Sequence, residues 1–131
     1  PDYDRTLNSH SGRHPDIMKG VCTHEKFKRW LGFIKREMQN AWDTRLQVAL
    51  VVALYCKSGK HRSVAATTIL KHVLIQEGWQ VRESHLSMAK WNNECRTGWC
   101  DAGGKLEGEL LTHQHASLQA SLELWRRADF T

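Results

Sequence analysis

Residues 47–76 read QVALVVALYCKSGKHRSVAATTILKHVLIQ, and this stretch decides the fold. Residues 47–56 are apolar on both faces and include several β-branched side chains, which is typical of a central strand covered on both sides. From Arg62 to Gln76 the apolar residues follow a helical spacing, and Glu77 and Gly78 are expected to close that helix. Residues 79–86 have the composition of a second strand. This order predicts two parallel strands joined by a right-handed crossover helix.

The flanking segments predict further helices. Residues 12–16 have the small, polar and Pro residues of a turn before a short helix, and Thr23 is a suitable N-cap for a longer one. The apolar face of that longer helix is expected to consist of Phe27, Trp30, Leu31, Ile34, Met38 and Ala41. After a loop at 92–104, a terminal helix carries Leu111, Leu118, Leu122 and Trp125 on its packed face. We therefore expect an α/β fold, a single domain over 1–131 with a small, largely parallel sheet flanked by helices.

The bulk composition indicates a soluble protein with anionic partners. The chain has 131 residues, a net charge of +5 and 40% hydrophobic residues, values that suit one globular domain. Its longest apolar run is too short to span a bilayer and its N-terminus is not signal-like, so a cytoplasmic location is expected. Positive charge favours phosphate-bearing ligands. Because the chain starts at Pro1, we also expect it to be a fragment of something longer.

The segment CKSGKHRS, residues 56–63, is predicted to be a phosphate-binding loop between the central strand and the helix. Open α/β sheets place their ligand sites where a strand ends and a helix begins. Gly59 lets the backbone approach a ligand closely, and the helix start offers amide groups and a positive dipole end. The predicted ligand contacts are Cys56, Lys57, Ser58, Gly59, Lys60, His61, Arg62 and Ser63. A solvated basic turn is the alternative interpretation.

One resemblance of this loop is to the signature loop of protein tyrosine and dual-specificity phosphatases. The shared pattern is cysteine, two residues, glycine, two residues, arginine, serine. The resemblance implies that Cys56 is a nucleophilic thiolate and that Arg62 holds the phosphoryl oxygens. The triplet at 14–16, His-Pro-Asp, is similar to that family's Trp-Pro-Asp loop and would make Asp16 the general acid.

A longer resemblance is to the C-terminal domain of the RapZ family. It is carried by SGRHPDIMKGV (11–21), VALYCKSGKHRSVA (52–65) and VRESHLSM (81–88), and it covers about residues 2–90. This resemblance implies a domain that binds a phosphorylated amino sugar and RNA without acting as a phosphatase, with His85 reaching the same pocket. The family's threonine and first glycine are Lys57 and Ser58 here, which indicates an altered ligand preference. Residues 91–131 are unassigned.

We therefore favour a binding or regulatory domain for a sugar phosphate or an RNA phosphate, and a cysteine-dependent phosphatase is the alternative. No cofactor is expected. Cys95 and Cys100, with histidines on either side, are a zinc candidate, but a loop with two free or disulfide-linked thiols is the favoured interpretation. The sequence leaves open the identity of the ligand, the role of residues 91–104 and the oligomeric state.

Overall fold

Four helices account for most of the residues that the computed structural model describes, which are 11–44, 49–54, 61–85 and 108–128. In chain order they are α1 (Pro15–Cys22), α2 (Phe27–Thr44), α3 (Arg62–Gln76) and α4 (Gly108–Arg127). None of these helices is both long and apolar enough to cross a membrane.

Helix α1 is short and closed at both ends by local hydrogen bonds. His14 is its N-cap, and the Nδ1 atom of His14 accepts a hydrogen bond from the Asp16 amide at 3.1 Å. Pro15 occupies the first helical position, where its missing N–H costs nothing. At the other end the Thr23 hydroxyl donates to the Lys19 carbonyl at 2.6 Å. The prediction that Thr23 starts the longer helix is therefore wrong, because its side chain closes the preceding one and α2 begins at Phe27.

The helices pack around one apolar core. The buried residues of this core are Met18 and Cys22 of α1, Phe27, Leu31 and Met38 of α2, Ile69, Leu70, Val73 and Leu74 of α3, and Leu122 and Trp125 of α4. Helix α1 lies against α3 and α4, and α4 also contacts α2 and α3. The predicted apolar faces of α2 and α4 are thus confirmed except for Ala41 and Leu111, which do not belong to this core. The Lys35 ammonium of α2 donates to the Trp125 carbonyl at 2.6 Å, which fixes α2 against the end of α4.

The predicted α/β fold with a parallel sheet is wrong for the part of the chain described here, which is helical and contains no strand or sheet. Residues 49–54 of the predicted central strand have no regular secondary structure. Val51 is 95% exposed and Val52 39%, so the run is not covered on both sides. Only Leu50 and Leu54 pack on the core. A continuous apolar run predicts burial on two faces, but contacts elsewhere in the chain determine whether it is buried.

The second predicted strand, at 79–86, is also not found in its described part, 79–85. Burial nevertheless alternates along the segment, because its odd-numbered residues are partly buried and its even-numbered residues are exposed, as in a strand. Its start is fixed by the Trp79 amide, which donates to the Leu74 carbonyl at 2.9 Å. The chain reverses direction at Gly78, whose φ of 94° suits glycine. Residues 79–85 therefore run back along α3 without a ladder to another described segment.

Candidate functional site

Helix α3 begins at Arg62 with a first turn that contains no acidic residue. His61 is the N-cap, and its carbonyl accepts the first helical hydrogen bond from the Ala65 amide at 2.9 Å. His61 and Ser63 are buried, whereas Arg62 is exposed. No carboxylate of the first turn therefore offsets the positive end of the helix dipole. An anion at this point would meet that positive end and an adjacent guanidinium.

The loop at 11–14 lies directly on this first turn. A β-carbon at Gly12 would collide with the carbonyl oxygen of His61 and the amide nitrogen of Ala65. The loop backbone therefore touches the backbone of α3. The buried Ser11 shapes the loop, since its hydroxyl accepts a hydrogen bond from the Arg13 amide at 3.2 Å. Sequence reasoning did not place this loop at the site, although Gly12 is the residue that permits the close contact.

An open groove with a volume of about 1430 Å³ lies along one side of α3. The α3 residues that line it are Ser63, Thr67, Leu70, Lys71 and Leu74. Residues 49–54 and 77–85 also line it, together with Met38 and Trp42 of α2. Ser63, Thr67 and Lys71 are four residues apart and share one helical face. At 1.5 Å per residue they extend about 12 Å from the helix start.

Three charged or ionisable side chains meet in this groove. The carboxylate of Glu83 joins Lys71 of α3, at 3.0 Å from Nζ to Oε1, to His85, at 2.9 Å from Nε2 to Oε2. Burial acts to raise the pKa of Glu83, but the hydrogen bonds and charges of Lys71 and His85 outweigh it and lower that pKa below its ordinary value of 4.5. Glu83 is therefore ionised at neutral pH. An ionised carboxylate only accepts hydrogen bonds, so Nε2 of His85 is the donor in this contact.

The path of residues 79–85 places His85 toward the start of α3. Trp79 contacts Leu74, and Glu83 contacts Lys71, which lies closer to the helix start. Two further residues of extended chain cover about 6.6 Å in the same direction. His85 and Ser63 accordingly line the same groove.

The predicted ligand contacts fall into three groups. Cys56, Lys57, Ser58, Gly59 and Lys60 lie outside the residues that the structure describes. Ser63 and His85 line one groove. His61 is buried and Arg62 exposed at the start of α3, and neither is among the described residues that line the groove. The sequence analysis did not assign a ligand contact to Lys71, Glu83 or the loop at 11–14.

The residues predicted for other chemistries are placed as follows. Asp16, the proposed general acid, is exposed in the first turn of α1, and it is not part of the groove lining in the described chain. Cys95 and Cys100 lie outside the described residues. Among the residues with described positions, no three His, Cys, Asp or Glu side chains are grouped to hold a metal ion. The described cysteine, Cys22, is buried in the core.

The far end of the groove is aromatic. Trp42 and Trp79 make an edge-to-face contact with ring centroids 5.1 Å apart. Both line the groove at the C-terminal end of α3.

Comparison with known proteins supports a common origin for the region that builds this groove. A nucleotide-binding protein of Dinoroseobacter shibae is 27% identical over 93 residues, and one of Jannaschia sp. is 28% identical over 93 residues; each alignment covers 69% of this chain. A nucleotide-binding protein of Deinococcus radiodurans is 34% identical over 68 residues, 50% of this chain. The chain spans only 31%, 29% and 24% of the lengths of these three relatives, respectively.

No solved structure matches the chain significantly. The model of the RapZ C-terminal domain matches residues 1–89, which include α1, α2, α3 and the segment carrying Glu83 and His85. The chain therefore belongs to the RapZ C-terminal domain family.

Proposed function

We propose that the chain is a binding domain whose groove holds a phosphorylated ligand, with the phosphate group at the start of α3. The observation that carries this proposal is the shared groove of Ser63, in the first turn of α3, and His85, which is 22 positions later in the sequence. Residues of two separate segments thus line one groove that includes the first turn of the helix. Arg62 adds a charge that is suited to phosphate oxygens.

The size and polarity of the groove support a ligand larger than phosphate alone. Its volume of about 1430 Å³ leaves room for more than a phosphate group. A phosphate at the start of α3 leaves the rest of the ligand to extend toward Lys71 and the tryptophan pair. A sugar phosphate fits this description. The relatives are named nucleotide-binding proteins, so a nucleotide is the second probe to test.

Isothermal titration of the 131-residue chain tests the proposal, with glucose 6-phosphate and AMP as ligands and glucose and adenosine as their uncharged partners. We expect at least one phosphorylated ligand to bind and its partner without phosphate to bind at least ten-fold more weakly. Arg62→Ala should weaken binding about ten-fold, since a hydrogen bond to a charged group contributes about 1.5–3 kcal/mol.

Arg127→Ala is the matched control, because Arg127 is also exposed but lies at the end of α4. Its neighbour Arg126 contacts Glu77, just beyond the other end of α3. Equal losses in the two arginine variants would contradict a phosphate site at the start of α3.

Two alternative functions give different results. Hydrolysis of an aryl phosphate that is lost in Cys56→Ser would indicate the phosphatase instead of the binding domain. An RNA phosphate as the ligand predicts that affinity falls steeply with salt, with a slope set by the number of phosphates neutralised.

A further inference from the structure

We propose that Glu83 is a built-in competitor, whose carboxylate occupies an anion site formed by Lys71 and His85 and must be displaced before a ligand can use that site. The proposal rests on the proposed function, because it concerns the same groove. It also predicts selectivity. Doubly charged oxyanions displace Glu83 and bind to Lys71 and His85, whereas singly charged carboxylates do not.

The geometry is that of a filled anion site. Two nitrogen donors from different parts of the fold reach one carboxylate, Lys71 Nζ at 3.0 Å from one oxygen and His85 Nε2 at 2.9 Å from the other. Both donors line the groove. Two donors that each take a separate oxygen can hold a sulfate or phosphate in the same way. Glu83 supplies that oxygen pair from within the chain.

The burial of the three side chains supports displacement by a ligand. The side chain of Lys71 is 37% exposed and that of Glu83 21%, whereas that of His85 is 7% exposed. The carboxylate is therefore accessible to solvent, while the imidazole lies in the wall of the groove. A hydrogen bond to a charged partner is among the stronger polar contacts of a protein, so a weak anion will not replace Glu83.

Other charged groups of the groove do not duplicate this arrangement. Glu77 lies at the far end of α3, and its carboxylate is paired with Arg126 at 2.7 Å. Arg82 is exposed and precedes Glu83 on the opposite side of the extended segment. Glu77 is consequently a matched control, since it is a carboxylate of the same groove with a partner on another helix.

The test is a titration of the full 131-residue chain with sodium sulfate and with sodium acetate at constant ionic strength and pH 7, followed by NMR. Sulfate keeps its charge across the neutral range and resembles phosphate in shape. We expect Glu83→Gln to bind sulfate about ten-fold more tightly than the wild type, as removal of a competing charged hydrogen bond predicts. Acetate should bind detectably only to Glu83→Gln, while Glu77→Gln should change sulfate affinity less than two-fold.

The gain in sulfate affinity of Glu83→Gln must depend on the two donors, Lys71 and His85. We expect Glu83→Gln combined with His85→Ala, or with Lys71→Met, to lose the ten-fold gain. A gain that persists in both double variants would overturn the proposal, because it would reflect only the lost negative charge. An unchanged or weaker affinity of Glu83→Gln, with a thermal unfolding curve showing that it is folded, would overturn it as well.

The result also separates this proposal from the proposed function. If the wild type binds sulfate and Arg62→Ala weakens that binding, but Glu83→Gln gives no gain, only the competitor role fails. If neither the wild type nor Glu83→Gln binds sulfate, the competitor role fails, and the titration with glucose 6-phosphate and AMP decides the proposed function separately.

Discussion

The two sides of α3 differ in what they face. Ala65, Ile69 and Val73 are 0% exposed and form part of the packed interior. Ser63, Thr67 and Lys71, displaced by two positions and thus by about 200° around the helix, line the open groove. One helix therefore packs into the interior on one side and presents polar groups to the groove on the other. The comparison predicts that substitutions on the packed side affect folding, while those on the groove side affect binding.

The largest expected effect is on the packed side. Ile69→Ala should lower the free energy of unfolding by about 4 kcal/mol, because it removes buried methyl groups and leaves a cavity. Thr67→Ala, two positions away, should change it by less than about 1 kcal/mol, since it loses only the hydroxyl bond to the Ser63 carbonyl and gains helix propensity. Urea denaturation measures both values. Similar losses in the two variants would break the distinction between the sides.

The contact between the loop at 11–14 and the first turn of α3 should have the next largest effect. Gly12→Ala places a methyl group against the backbone of His61 and Ala65, and we expect a loss of about 3 kcal/mol from overpacking. Gly32→Ala is the control, because its β-carbon would meet only the Ala128 side chain at 3.8 Å. Since Gly32 lies inside α2, that change should stabilise by about 0.5–1 kcal/mol. A Gly12→Ala protein that melts at the wild-type temperature would show that the loop does not touch α3.

The groove side should show a smaller, pH-dependent contribution to stability. The pKa of Glu83 is lowered in the folded protein, although burial opposes this, through the hydrogen bonds from Lys71 and His85. A lowered carboxyl pKa stabilises the fold above the unfolded value, and this contribution is lost as the pH falls through the folded value. The melting temperature of the wild type minus that of Glu83→Gln should thus be largest above pH 4.5 and decline below it. A difference that grows toward acid pH would contradict the contacts seen here.

The helices were the predictable part of the fold. The spacing of apolar residues and the Glu77-Gly78 ending gave α3 its observed bounds, and the same periodicity identified the packed faces of α2 and α4. These signals come from residues that are close together in the chain, so a single sequence is enough to reveal them. Whether the predicted strands form depends on contacts with residues that are distant in the sequence. Val51 is 95% exposed although it lies in the most apolar run, because nothing in the run itself specifies a covering layer.

Only part of the candidate site was predictable from the sequence. Ser63 and His85 were expected to share a pocket and do line one groove, while their role in ligand binding stays a prediction. The contact of Gly12 with the first turn of α3 joins residues about fifty positions apart, and no local pattern indicates it. The bridge from Lys71 through Glu83 likewise depends on how residues 79–85 fold back along α3.

The most direct test of a phosphate site at the start of α3 is an NMR titration of the uniformly ¹⁵N-labelled chain with inorganic phosphate. The account predicts that the largest shifts occur at the amides of Arg62 and Ser63 and at the imidazole of His85, with one common dissociation constant. Shifts concentrated on α4, around His113, His115 and Arg127, with no change at the start of α3, would contradict it.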